Sequence, residues 1–303
     1  MRYVFGPVNS RRFGISLGID LSPDEKSCNF DCVYCELKGA KPVSVIKNPP
    51  NVNEIIAEIK KSLSLHNNID VITITSNGEP TLYENLDKLV DELNKIKKDK
   101  KLLILSNSSR ICNMSVQNTL QKIDMVKLSL DCATQKCFKK IDRALKGIMI
   151  QDLTNCIKNF SKKFNNNLII EILVVKGIND KTDEFKKLNE VLNDIKPARV
   201  DIGTIDRPPA YQVEAVDQKD MLKLSKIITD IPVSLIYKNN PDKKEDFSKE
   251  EILKLIAHRP QSQYDIDNFF SDNAKKIVEN LLKNNIIVKK DIAGVVFYRL
   301  NER

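Results

Sequence analysis

Three cysteines fall within eight residues, in the run Cys28-Asn29-Phe30-Asp31-Cys32-Val33-Tyr34-Cys35, a C-x3-C-x2-C arrangement. Thiolates are soft ligands that select iron–sulfur clusters, zinc or Cu(I). Structural zinc normally closes with four ligands, commonly as two separated pairs. Here the three cysteines share one short stretch, and the two histidines, His66 and His258, are distant in sequence. A cubane cluster held by three thiolates keeps one iron open, and an open metal position is what catalysis requires. The bland rival is a structural zinc site.

Further residues carry chemistry of their own. Gly78-Glu79-Pro80 puts a carboxylate beside a glycine that lets backbone approach a ligand closely; read blandly, it is only a turn. Lys127 and Glu171 are charges in otherwise apolar stretches, and buried charges are costly unless paired. The two are expected to pair across neighbouring strands or to touch substrate. The remaining cysteines, Cys112, Cys132, Cys137 and Cys156, are scattered in sequence. An odd total of seven argues against a disulfide framework and for metal or reactive thiols. Cys112 and Cys132, just past strand ends, read as small buried hydrophobes rather than as ligands of a second cluster, and the roles of all four stay open.

The elements that must position these residues alternate. Short apolar runs at 15–21, 69–76, 101–107, 125–131, 168–175 and 199–205 predict strands. Between them, 54–63, 86–97, 153–164, 185–195 and 219–228 carry helical three- and four-residue spacing, and a short helix is expected at 134–141. Strand–helix alternation implies a parallel sheet with right-handed crossovers, and six repeats predict a partial barrel. Side chains alternate faces along a strand. Ser16, Gly18 and Asp20, Thr73 and Thr75, and Lys127, Ser129 and Asp131 therefore share one face, which predicts a polar lumen. The cysteine run follows the first of these strands, at the barrel mouth where such folds place active sites.

Hydrophobic residues make up 41% and charged residues 30% of 303 residues, which fits a globular chain. No apolar run approaches the ~20 residues of a membrane span, and the first residues lack a signal-peptide core, so a cytoplasmic protein is expected. The net charge of +8 is compatible with a nucleic-acid partner without demanding one.

The C-x3-C-x2-C run, with an aromatic before its third cysteine, resembles the signature of the radical S-adenosylmethionine (radical SAM) superfamily. Gly6-Pro7-Val8-Asn9-Ser10-Arg11-Arg12, Ser16-Leu17-Gly18-Ile19-Asp20, Asn77-Gly78-Glu79-Pro80-Thr81-Leu82, Ser129-Leu130-Asp131, Lys176-Gly177-Ile178-Asn179-Asp180 and Arg207-Pro208-Pro209-Ala210 are similar to a subfamily related to the tRNA wyosine-base synthases. The resemblance covers nearly the whole chain and implies a (β/α)6 radical SAM barrel. It implies a [4Fe–4S] cluster on Cys28, Cys32 and Cys35 whose free iron is chelated by the amino and carboxylate groups of S-adenosylmethionine (SAM). An electron from the reduced cluster then cleaves the sulfonium to a 5′-deoxyadenosyl radical, which abstracts hydrogen from substrate. It further implies Glu79, with Gly78 and Pro80, at the SAM ammonium and Tyr34 at the adenine. Ser129 and Asp131, with Asn107 as a further candidate, are placed at the ribose, and Arg143 at the SAM carboxylate. Ser76 and Ala144 depart from the family pattern, where glycine and proline are expected; the second bears on Arg143. A flavodoxin- or ferredoxin-like reductant, an RNA or protein substrate, and a monomeric chain follow from the same likeness.

After a polar linker, 238–246, the tail at 247–303 shows three short helical patterns and a β-hairpin, the order of a winged helix. It carries seven Lys and three Arg against four Asp and four Glu, a net of +2. The barrel is thus placed at 1–237 and the winged helix at 247–303. A rival function follows from this tail, an iron–sulfur redox-sensing, DNA-binding regulator, but it leaves the polar lumen without purpose.

Overall fold

In the computed structural model, residues 2–10, 12–235, 244, 246–258, 260–292 and 295–301 are described. Strand parity decides what faces inward. Strands β2 (Gly14–Asp20), β3 (Val71–Thr75), β4 (Lys101–Ser106), β5 (Met125–Ser129), β6 (Asn167–Val174), β7 (Arg199–Thr204) and β8 (Val233–Leu235) pair in parallel, in chain order. β1 (Val4–Ser10) adds an antiparallel edge to β2, with an irregularity between Phe5 and Val8. Among the described residues the sheet thus holds the six expected strands, β2 to β7, and two more, eight in all. Both extra strands lie at its edges: β1 alternates poorly around Gly6-Pro7, and β8 has only three residues.

The outward set Leu17, Ile19, Ile72, Ile74, Val126 and Leu128 joins one large core with the surrounding helices. These helices are α1 (Val52–Leu65), α2 (Leu86–Ile96), α3 (Met114–Leu120), α4 (Gln135–Ile141), α5 (Ile150–Ser161), α6 (Thr182–Ile195) and α7 (Gln218–Ser225). Their apolar stripes explain the fit: α2 buries Leu86, Leu89, Val90 and Leu93, at helical spacing. The inward set, Ser16, Gly18, Asp20, Thr73, Thr75, Lys127 and Glu171, lines a lumen cavity of about 690 Å³. The predicted polar lumen is therefore present. Near the strand N-termini the lumen instead turns apolar, with Val71, Leu103 and Met125 packed beside Phe13.

Lys127 and Glu171 pair at 2.5 Å, as expected, but within a larger network. Asp201 is wholly buried and takes Arg199 at 2.7 Å, Lys127 at 3.3 Å and Arg12 at 3.4 Å; Arg12 also reaches Glu171 at 3.9 Å. Burial alone would raise the Asp201 carboxyl, but Arg12, Lys127 and Arg199 together hold it below the usual carboxylate range. Arg12 also bonds the Ser234 hydroxyl and carbonyl at 3.2 Å each, joining the segment after β1 to β8. Lys127→Met is expected to destabilise the chain by about 3 kcal/mol, at the low end for breaking a buried pair. Asp201 keeps two other cations, and Glu171 is partly solvated. Urea unfolding checks this; an unchanged midpoint would show that Lys127 is dispensable.

The tail builds α8 (Lys249–His258), β9 (Gln261–Ser262), α9 (Gln263–Phe269), α10 (Asp272–Lys283), β10 (Ile287–Ile292) and β11 (Val295–Leu300), with sheet order β10-β11-β9. It has its own core, including Ile252, Ile266, Phe270, Val278 and Leu281. Ser262 and Asp265 form a reciprocal cap at the start of α9. The expected linker, 238–246, lies outside the described residues except for 244 and 246. Among the described residues, no helix is long and apolar enough to cross a membrane.

Candidate active site

The loop between β2 and α1 carries the three cysteines, and its backbone is fastened on three sides. Against the loop after β3, Ser27 N–H donates to Asn77 O and Glu79 N–H to Ser27 O, each at 2.9 Å. Against the end of α4, Val33 N–H donates to Ile141 O at 2.8 Å, Asp31 N–H to Asp142 O at 3.0 Å, and Leu145 N–H to Asn29 O at 2.8 Å. Beyond β7, Ala210 N–H donates to Cys35 O at 2.8 Å. Inside the loop, Asp31 accepts from Lys26 at 2.9 Å, from Ala40 N–H at 3.2 Å and from the Tyr211 hydroxyl. Phe30 is buried edge-on against Phe138. The ligand loop is thus held before any metal arrives.

Cys28, Cys32 and Cys35 are unpaired and partly buried, and they line a cavity of about 360 Å³, within the usual range for small-molecule sites. Ser76, Gly78, Asn107, Leu173 and Thr204–Arg207 complete it, all at or beyond the C-terminal ends of parallel strands. Glu36, Leu37, Ser76 and Arg207 line the lumen cavity as well, so the two spaces share a wall. Burial pushes the Cys28 thiol up to about 12, and burial followed by the Asp142 carboxylate also pushes Cys32 well above the usual thiol range. Such thiols stay protonated at neutral pH until a metal displaces the proton. One tetrahedral zinc would draw its sulfurs to within about 3.8 Å of one another. The three Sγ atoms do not all lie within 4.8 Å of one another, so they are not gathered for a single zinc in this structure.

Gly78 has φ +150°, and a Cβ there would sit 1.8 Å from Ser27 O, so only glycine lets the β3 loop lie against the cysteine loop. Asn107 lines the cavity, its amide 3.5 Å from Cys28 Sγ and 3.0 Å from Asn29 Oδ1. Tyr34 lines it too, with its hydroxyl donating to Asp131 at 2.5 Å.

Other expected residues lie elsewhere. Glu79, expected at the SAM ammonium, is wholly buried. Its carboxylate accepts from Thr81 N–H at 2.9 Å, Thr81 Oγ1 at 2.6 Å, Ser106 Oγ at 2.8 Å and Asn107 N–H at 2.6 Å. It ties the ends of β3 and β4 together and does not line the cavity. Pro80 is buried at the start of the turn that Glu79 caps. Ser129 and Asp131, expected at the ribose, lie behind Tyr34 around a gap of about 10 Å³, too small for a sugar. Arg143, expected at the SAM carboxylate, is exposed and stacks 4.3 Å over the Tyr211 ring. The arginine on the cavity is instead Arg207, bonded to Glu36 at 2.7 and 2.8 Å.

Sequence reasoning missed Asp142, a buried acid whose Oδ1 lies 3.4 Å from Cys32 Sγ. Nothing in the run Ile141-Asp142-Arg143 marked it. It also argued against disulfides and left the roles of Cys112, Cys132, Cys137 and Cys156 open. The fold joins Cys112 to Cys156 and Cys132 to Cys137 as disulfides, with Cα–Cα separations of 5.1 and 5.7 Å. The first pair is 44 residues apart in sequence, so only the packing of the β4–α3 loop on α5 reveals it.

The buried acids give a pH signature. Burial raises Asp131 to about 7, despite its bonds from Leu173 N–H and Tyr34, and burial with Asp131 raises Asp142. Unfolded aspartate titrates near 3.9. Between about pH 4 and 7 the folded chain therefore binds more protons, and this pair's contribution to stability falls as pH rises. In the metal-free chain, Asp131→Asn is expected to gain stability on wild type as pH rises across that window, by a few kcal/mol at most, read as a widening difference in Tm. Parallel Tm curves would contradict it.

The chain belongs to the radical SAM superfamily, whose family pattern matches residues 26–188, more than half of its length. The enzymes of that class use a [4Fe–4S] cluster and SAM. More narrowly, the chain is 39% identical to a UPF0026 protein of Helicobacter pylori (strain J99) over 298 residues, 97% of this chain and 96% of that one. It is 27% identical to a UPF0026 protein of Methanocaldococcus jannaschii over 314 residues, 99% and 97% of the two chains. In fold it is similar to a radical SAM methyltransferase from Sphaerobacter thermophilus, with a TM-score of 0.59 and 14% identity over 73% of this chain and 66% of that one.

Proposed function

We propose that this chain holds a [4Fe–4S] cluster on Cys28, Cys32 and Cys35, binds SAM in the 360 Å³ cavity and takes its substrate in the lumen beside it. One observation carries the reading: the three unpaired cysteines of the described residues stand on one fastened loop, at the mouth of a polar lumen. When bound, the cluster and SAM supply one-electron cleavage to a 5′-deoxyadenosyl radical that takes a hydrogen atom from substrate. The chain's own part is positioning. Gly78 lets the two loops touch, the Asn107 amide points at the Cys28 sulfur, and Tyr34 walls the cavity off from Asp131. Arg207 takes the role first given to Arg143, offering a guanidinium to the SAM carboxylate as a charge-assisted bond. Glu79 acts at one remove, by setting Asn107. Leu173 and Ile205 shield the cavity from water.

The substrate proposed within this reading is an RNA base. The tail supports it: its elements run in winged-helix order, which suits gripping a nucleic acid. The lumen offers hydroxyls and carboxylates to a polar ring. Filter binding of transfer RNA in rising salt tests this part by itself, and a salt-independent null result would remove it.

The enzymatic core is tested by anaerobic loading with iron and sulfide, then reduction with SAM present. 5′-Deoxyadenosine should form. Its absence from fully loaded, reduced chain would overturn the reading.

A further inference from the structure

Arg199 is the first residue of β7, at the N-terminal end of the parallel strands, where a long cation ordinarily reaches water. It is 0% exposed. Two of its bonds, 2.7 and 3.2 Å, go to Asp201, and its Nη1 donates to the Ile292 carbonyl at 2.6 Å. Its guanidinium also lies 5.4 Å over the Phe13 ring. Ile292 ends β10, in the hairpin of the tail and 93 residues away in sequence. From Asp201 the contacts continue to Arg12 and Lys127, and from both to Glu171. Arg12, Phe13, Lys127 and Glu171 all line the lumen cavity.

We propose that the tail backs the floor of the lumen from behind, with Arg199 as the positioning residue that ties the hairpin carbonyl to the charges shaping the cavity. Calling that cavity the substrate site rests on the function proposed above; the floor itself does not. The physical reason is satisfaction. A buried guanidinium has five donors in a fixed fork, and Asp201 faces only one edge of it. The hairpin carbonyl takes a donor that would otherwise need water, and so lets the lower lumen stay closed. Without it, that one donor draws in water and the guanidinium turns from Asp201. Asp201 then loses a cation, and Arg12 and Lys127 shift with Glu171.

The chain contains no tryptophan, so Phe13→Trp places a single indole on this floor as a fluorescent reporter. Val278→Asp, in the tail's own core and remote from the lumen, buries an unpaired carboxylate and unfolds that unit. In the metal-free double variant, the indole should be quenched by acrylamide several-fold more readily, with loss of hydrogen-exchange protection across α8–α10. An unfolded tail with unchanged indole quenching would overturn the proposal. Arg199→Lys is the finer arm: a lysine can keep the Asp201 ion pair but cannot span both partners. It should raise quenching and free the 287–292 amides while α10 stays protected; no change in either would equally overturn it. If Phe13→Trp does not fold, exchange at the 12–16 and 199–203 amides of the unreplaced chain reads the same floor. None of these readouts requires SAM cleavage, so a failed enzymatic assay leaves them interpretable.

Discussion

Cys32→Ala is expected to lose 5′-deoxyadenosine formation by more than about a thousandfold, because ligands acting as one unit fail together when any is removed. On the proposed reading each cysteine holds one corner of the cluster, and Cys132 and Cys137 are committed to each other. The loop itself should persist in Cys32→Ala, since Val33, Asp31 and Cys35 keep their backbone partners. Thermal unfolding of the metal-free variant should therefore stay close to that of wild type. Iron analysis and product chromatography separate the two effects. Substantial product from this variant would mean that the cluster lies elsewhere.

Gly78→Ala is expected to be as severe by another route. The new methyl carbon would lie 1.8 Å from Ser27 O, 2.3 Å from Ser27 C and 3.0 Å from Cys28 N, all backbone atoms. No rotamer relieves such a clash, and φ +150° is strained for alanine. Ser27 is pinned from both sides by Asn77 O and Glu79 N–H, while Asp31, Val33 and Cys35 stay fastened elsewhere, so the loop must lift at Ser27–Cys28 and carry Cys28 away from Cys32 and Cys35. A destabilisation of more than about 3 kcal/mol is expected, with loss of most bound iron. Wild-type iron content in this variant would show that the two loops need not touch for loading.

These two residues also show what could be read from the chain alone. The C-x3-C-x2-C run and the inward parity of Ser16, Thr73 and Lys127 are local patterns, and local patterns survive folding. The direction of a single long side chain does not work that way. Glu79 turns into the sheet because Thr81, in the turn after β3, and Ser106 and Asn107, at the end of β4, offer donors. Arg143 turns out because Tyr211, far along the chain, offers a ring. Asp201 lies in a predicted strand but draws its importance from Arg12 and Lys127, which only the rolled sheet brings near. The cysteine pairs and the tie between Arg199 and Ile292 are likewise products of distant packing. The edge strands β1 and β8 escaped notice because one is irregular and the other very short.

The open iron position of the proposed cluster can be probed most directly by paramagnetic resonance of the reduced, cluster-loaded chain, using SAM labelled with ¹⁵N at its amino group. One [4Fe–4S] cluster per chain should give a signal that changes shape on adding SAM and acquires a coupling to the labelled nitrogen. A signal indifferent to SAM, or a chain that loads a single zinc closed by a fourth protein ligand, would contradict the account.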